Sequence, residues 1–214
     1  MPFFAPSVAC LILALSCGAN LTAADAGSVP QSAEAAVPLA VGAVAPQDVA
    51  LRTVDGKATT VGKALAGQPT VVIFYRGGWC PFCTRQLAGL HEIVPGLTEA
   101  GWKIIAIAPD APETLRAAAA DEDGLRRFSD AEGHAMRAFG VAFRVDDATQ
   151  EKLQGYGIDL AKASGHTHRM LPVPSVFAID AAGLIRFVHA DPDYKVRMDA
   201  QELLETVKKL NTAK

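Results

Sequence analysis

The sequence predicts an α/β fold in which a mixed sheet lies between layers of helices. Three observations carry this. Short, nearly unbroken apolar runs rich in β-branched residues recur at Thr70–Tyr75, Trp102–Ala108 and Ser175–Ile179, the pattern of strands buried on both faces. Segments with helical apolar spacing alternate with these runs, and such alternation builds a sheet covered on both sides. A turn ending at Gly183 joins Ser175–Ile179 to a further strand at Leu184–His189, so the last two strands run antiparallel and the sheet is mixed.

Composition agrees with one globular domain. Of 214 residues, 50% are hydrophobic and 20% charged, enough apolar surface for a core and too little charge for disorder. A formal net charge of −3 and the absence of any Lys/Arg run argue against nucleic acid as a partner, which needs a phosphate-neutralising surface.

The chain opens on Met1–Ala26, with no Lys or Arg, an apolar run at Val8–Leu15 and the small-x-small triplet Ala24-Asp25-Ala26. This is read as a signal peptide cut after Ala26, too short to span a bilayer, and it implies export, to the periplasm of a bacterium. Its first residues lack the usual positive charge. Cys17, after Ala14-Leu15-Ser16, offers a lipid anchor as the alternative. Gly27–Gly42, rich in Ala, Ser, Pro and Gly, reads as a flexible leader, and the domain as residues 43–214.

Within the domain, Asp55-Gly56 between Val49–Thr53 and Ala58–Val61 signals a hairpin. Gly77-Gly78 ends the Thr70–Tyr75 strand. Pro81 suits a first helical turn, Leu87, Leu90, Ile93 and Val94 continue the helix, and Pro95 kinks or ends it. After the Trp102–Ala108 strand, Asp110-Ala111-Pro112-Glu113 reads as a helix start with a capping pattern. Leu125–Phe128 reads as a short strand. Asp130 caps a helix running to Phe139, which Gly140 closes. Asp146–Leu160 is read as helix and Ala161–Met170 as loop. Asp199-Ala200-Gln201-Glu202 starts a final helix with Leu203, Val207 and Leu210 on its buried stripe.

Removal of the first 26 residues leaves Cys80 and Cys83 as the sole cysteines. Trp79-Cys80-Pro81-Phe82-Cys83 stands where a buried strand hands over to a helix. There a sulfur meets unpaired N–H groups and the positive end of the helix dipole, and both favour thiolate. Three residues of helix bring Cys83 to the same face. Cys80, nearer the tip, is therefore expected to be the nucleophile and Cys83 its resolving partner. A structural zinc would need four nitrogen or sulfur ligands, and only these two thiols remain. His166 and His168 could add to them a copper site of a metal-binding chaperone, against the simpler reading of a polar loop. Arg76, four residues before Cys80, is either a charge that stabilises the thiolate or a surface arginine at a strand end. Thr84 reads as a first-turn residue, and Trp79 as packing that shields the sulfur.

At Pro174, in the run Leu171-Pro172-Val173-Pro174-Ser175, the sequence resembles the thioredoxin superfamily, whose members place a cis-proline opposite a redox Cys-x-x-Cys. Phe74–Cys83, Ala108-Pro109-Asp110, Phe128-Ser129-Asp130, Phe139-Gly140-Val141 and Asp191-Pro192-Asp193-Tyr194 narrow this to the peroxiredoxin-like branch of the alkyl hydroperoxide reductase / thiol-specific antioxidant family. One departure stands out. Peroxiredoxins typically carry Pro-x-x-x-Thr-x-x-Cys at the attacking cysteine, and here Ile73 and Gly77 occupy the Pro and Thr positions.

The resemblance implies a thioredoxin-like three-layer fold and thiol-dependent reduction of hydrogen peroxide or organic hydroperoxides. It implies Cys80, Cys83 and Arg76 as catalytic residues, with Trp79, Pro81, Val173 and a cis Pro174 bordering the substrate or partner. A thioredoxin-like dithiol would recycle the enzyme, with no metal or other cofactor. The rival reading with the same residues is an exported protein thiol–disulfide oxidoreductase.

Overall fold

The computed structural model describes Met1, residues 29–118 and residues 124–212. The expected signal peptide, Met1 apart, lies outside the described residues.

A hairpin of β1 (Ala50–Thr53) and β2 (Ala58–Thr60) opens the domain, followed by a short helix α1 (Val61–Leu65). Then come β3 (Thr70–Phe74), α2 (Pro81–Glu92), α3 (Val94–Glu99), β4 (Lys103–Ala108), α4 (Pro112–Ala118) and β5 (Leu125–Ser129). The second half holds α5 (His134–Ala138), β6 (Ala142–Arg144), α6 (Asp147–Gly155), α7 (Leu160–Ser164), β7 (Met170–Pro172), β8 (Ser175–Ile179), β9 (Ile185–Ala190) and α8 (Ala200–Thr212). Seven strands form one sheet in the order β2-β1-β5-β4-β3-β8-β9, and β6 pairs with β7 beside it. The central strands β3, β4 and β5 are parallel, while β8 runs antiparallel to β3. The mixed three-layer sheet expected from the sequence is thus the fold observed.

Strand alternation sends β3 side chains to two cores. Val71, Ile73 and Tyr75 pack with Cys83, Leu87 and Leu90 of α2 and Leu203 and Val207 of α8. Val72 and Phe74 face the opposite way, toward α1 and α5. There Phe74, Phe139 and Phe177 meet with ring centroids 5.0–6.0 Å apart in tilted and edge-on pairs, the geometry that aromatic quadrupoles favour.

Several sequence expectations need correction. Residues 29–42 are not a loose leader. Leu39 N–H donates to Phe139 O at 3.0 Å and Gly42 N–H to Ile185 O at 2.8 Å, while Arg144 N–H reaches Pro30 O at 2.7 Å. Val29, Ala33, Ala36 and Leu39 supply apolar contact to the second core. Gly140, at φ +72°, is needed there because a Cβ would strike the Val37 carbonyl. The region read as loop at Ala161–Met170 begins with α7, because Asp159 Oδ1 accepts the N–H groups of Ala161 and Lys162 and so caps it.

Val173–Pro174 is trans, since no peptide bond among the described residues is cis. The trans form is the intrinsically favoured one, and in it both polar groups of Val173 are satisfied. Its N–H donates to Val141 O at 2.8 Å, and its carbonyl accepts the Ser175 hydroxyl at 2.7 Å. Val173, expected to border the substrate or partner, thus has both backbone polar groups engaged within the chain.

Candidate active site

The loop between β3 and α2 is shaped by its glycines. Gly77 adopts φ +141°, a conformation that side chains resist, and a Cβ there would lie 2.7 Å from Asp110 Oδ1 and inside contact distance of Trp79 Nε1. Gly77 O accepts the Cys80 N–H at 3.2 Å. Helix α2 then starts at once, with Pro81 in its first turn and Cys80 as its extended N-cap, φ −91°. The carbonyl of Cys80 accepts from Cys83 N–H and Thr84 N–H, both at 3.0 Å. The Thr84 hydroxyl bonds back to Pro81 O at 3.1 Å and so belongs to the helix, as read from the sequence.

Both cysteines are free thiols and buried, Cys80 with 1% of its surface exposed and Cys83 with none. Cys80 is driven down to about 6, first by a hydrogen bond from the Cys83 thiol, against desolvation, and then by the Cys83 backbone N–H and the charges of Arg76 and Arg197. Cys83 moves the other way. Its thiol proton is held by the bond to Cys80, and burial beside a thiolate penalises a second negative charge. One thiolate and one thiol at neutral pH is the arrangement required of an attacking and a resolving cysteine.

Arg76 is no surface residue. It is 6% exposed, and its guanidinium lies 4.3 Å from the Tyr194 ring centroid and 5.3 Å from that of Trp79. Desolvation lowers its pKa, opposed by attraction to the Cys80 and Cys83 sulfurs. Trp79 also packs against buried side chains of two cores. Pro81 is exposed at the helix tip. Pro174 is buried, one step beyond the Phe74↔Ser175 pair, at the sheet end from which the loop between β3 and α2 departs.

Two site residues escaped the sequence reading. Arg197, 114 residues from Cys83, donates from Nη2 to Cys83 Sγ at 3.4 Å, from Nη1 to Gln86 Oε1 at 2.9 Å, and from Nε to Tyr194 O at 2.7 Å. Its one signal was proximity in sequence to the Asp191–Tyr194 motif. Asp110 was read as a helix cap. Its carboxylate instead accepts the Gly78 N–H at 2.8 Å.

His166 and His168 stack with centroids 5.7 Å apart. Both ring nitrogens of His168 are engaged, Nε2 with Ala131 O at 2.7 Å and Nδ1 with Met170 N–H at 2.9 Å. This leaves His168 no lone pair for copper. No cluster of three or more His, Cys, Asp or Glu able to hold a metal occurs among the described residues.

The model of the AhpC/TSA family matches residues 41–188, more than half of the chain. The chain belongs to the AhpC/TSA family. No curated protein matches it in sequence. Among solved structures it is similar to a peroxiredoxin-like protein from Aquifex aeolicus, with 21% identity and TM-score 0.59 over 81% of this chain and 89% of that one. It is similar also to peroxiredoxin 5 from Alvinella pompejana, with 19% identity and TM-score 0.61 over 80% and 99%. A third is reduced Prx3 from Vibrio vulnificus in complex with hydrogen peroxide, with 14% identity and TM-score 0.64 over 79% and 96%. This AhpC/TSA protein therefore has the thioredoxin-like fold of peroxiredoxins and their general class of chemistry, thiol-based oxidoreduction of peroxides.

Proposed function

We propose that this AhpC/TSA protein reduces hydrogen peroxide or a small organic hydroperoxide through Cys80 and Cys83. The observation that carries the reading is a sulfur poised as thiolate yet almost wholly buried. A small peroxide is the substrate that demands least access to such an atom. Cys80 thiolate attacks one peroxide oxygen, the O–O bond breaks, and the product alkoxide or hydroxide takes a proton to leave as alcohol or water. Cys80 is then a sulfenic acid. The Cys83 sulfur displaces its hydroxyl, forming the disulfide and releasing water, and an external dithiol restores both thiols by exchange. A thioredoxin-like protein is the reductant of fitting chemistry. Arg76 supplies a fixed charge beside the reacting sulfur, in the role a threonine hydroxyl at Gly77 cannot play here.

Stopped-flow oxidation of the reduced protein tests this. Fast thiol loss with hydrogen peroxide and slow loss with oxidised glutathione is expected. The reverse order would select protein thiol–disulfide exchange. Export with cleavage after Ala26 belongs to the same proposal, and the intact mass of the mature protein decides it against a lipid on Cys17.

A further inference from the structure

Asp110 sits just beyond β4 with 1% of its surface exposed, and burial opposes its charge. A buried carboxylate is costly unless it has a task or a partner. Its Oδ2 accepts the Gly78 N–H at 2.8 Å, a bond across 32 residues into the redox loop. Its Oδ1 faces the Trp79 indole N–H, which favours the carboxylate against burial although the pair falls short of a well-formed hydrogen bond. Both atoms crowd the place where a Gly77 side chain would be. The Arg76 guanidinium lies over the same indole ring, 5.3 Å from its centroid.

We propose that Asp110 is a positioning residue for the redox loop. Its carboxylate pins Gly78 by the backbone and sets the orientation of Trp79, and through Trp79 it keeps Arg76 beside Cys80. This rests on the reading of Cys80 as the attacking cysteine. Loss of the carboxylate frees the Gly77-Gly78 backbone, where neither residue has a side chain to fix it.

The test uses the full chain with Trp102→Phe in every protein, so that emission reports Trp79 alone. Asp110→Ala is expected to shift Trp79 emission to longer wavelength and to slow the first oxidation of Cys80 by hydrogen peroxide about tenfold or more, the scale of a small misplacement of reacting groups. Asp110→Asn keeps an oxygen for the Gly78 N–H, so its rate loss should be several-fold smaller. If Asp110→Ala does not fold, Asp110→Asn decides by whether its amide, turned toward the indole N–H, shifts Trp79 emission. Unchanged emission in either variant, or equal rate loss in both, overturns the proposal. Retained peroxide turnover in Cys80→Ser would instead overturn the reading of the attacking cysteine, and leave the emission result to judge the Asp110 tether.

Discussion

Cys83 is expected to do more than resolve the oxidised partner, because its thiol is the largest single stabiliser of the Cys80 thiolate. Cys83→Ala removes that donor. A hydrogen bond to a charged group contributes about 1.5–3 kcal/mol, and a thiol is a weak donor, so about 1.5 kcal/mol is the fitting figure. At 1.36 kcal/mol per pKa unit this is a rise of about one unit, moving Cys80 from about 6 to about 7. At pH 6 the thiolate fraction would fall from about one half to about one tenth, and single-turnover oxidation would slow about fivefold. Above pH 8 the variant should match or exceed the parent, since a more basic thiolate is the stronger nucleophile. Cys83→Ser, which retains a hydroxyl donor, should shift the curve less. The assay is thiolate absorbance against pH, paired with the pH dependence of the first oxidation step. A Cys80 pKa in Cys83→Ala equal to or below that of the parent would refute the hydrogen bond as the cause.

Arg76→Met removes a buried charge attracted to both sulfurs, so the Cys80 pKa should rise and peroxide attack near pH 6–7 should slow. Unchanged pKa and rate would make Arg76 a packing residue only. Arg197→Met breaks the contact to Cys83 Sγ and withdraws a charge that favours its ionisation. Sulfenic acid on Cys80 should then persist longer before the disulfide closes, which a sulfenic-acid trap measures. Burial raises Asp110 to about 6 and Asp130 to about 7. The folded chain thus holds these protons to higher pH than the unfolded chain, where Asp titrates near ~3.9. Their contribution to stability is full at low pH and is lost as pH rises through about 4 to 7. The thermal midpoint should fall over that window, and less steeply in Asp130→Asn.

The alternation of apolar runs and helical stretches determined the layers. A strand buried on both faces must be apolar along its length, as Val71–Phe74 is, and a one-face helix must repeat every three to four residues, as Leu87, Leu90, Val94 and Leu97 do on α2 and α3. The placement of the two cysteines was equally legible. A proline-started helix directly after a strand places Cys80 at a dipole terminus whatever surrounds it. Asp130, expected to cap its helix, lies three residues before the N-cap Gly133, yet its carboxylate accepts the Ala135 and Met136 N–H groups at 2.9 and 2.8 Å, a nearly local bond.

What the sequence left open was every feature made by distant partners. Asp110 has the spacing of a cap and serves Gly78 instead. The β6–β7 pair consists of two three-residue strands, one ending in proline, and exists because Ala142 comes to lie opposite Pro172. Residues 29–42 carry small apolar side chains with no period, so their place against Phe139 and Ile185 could not be read from them. Arg197 reaches Cys83 only after α8 and the loop before it fold back over α2. Local physics decides where a thiol can become a nucleophile. The charges and donors that set how reactive it is arrive through long-range packing, which leaves no periodicity in the chain.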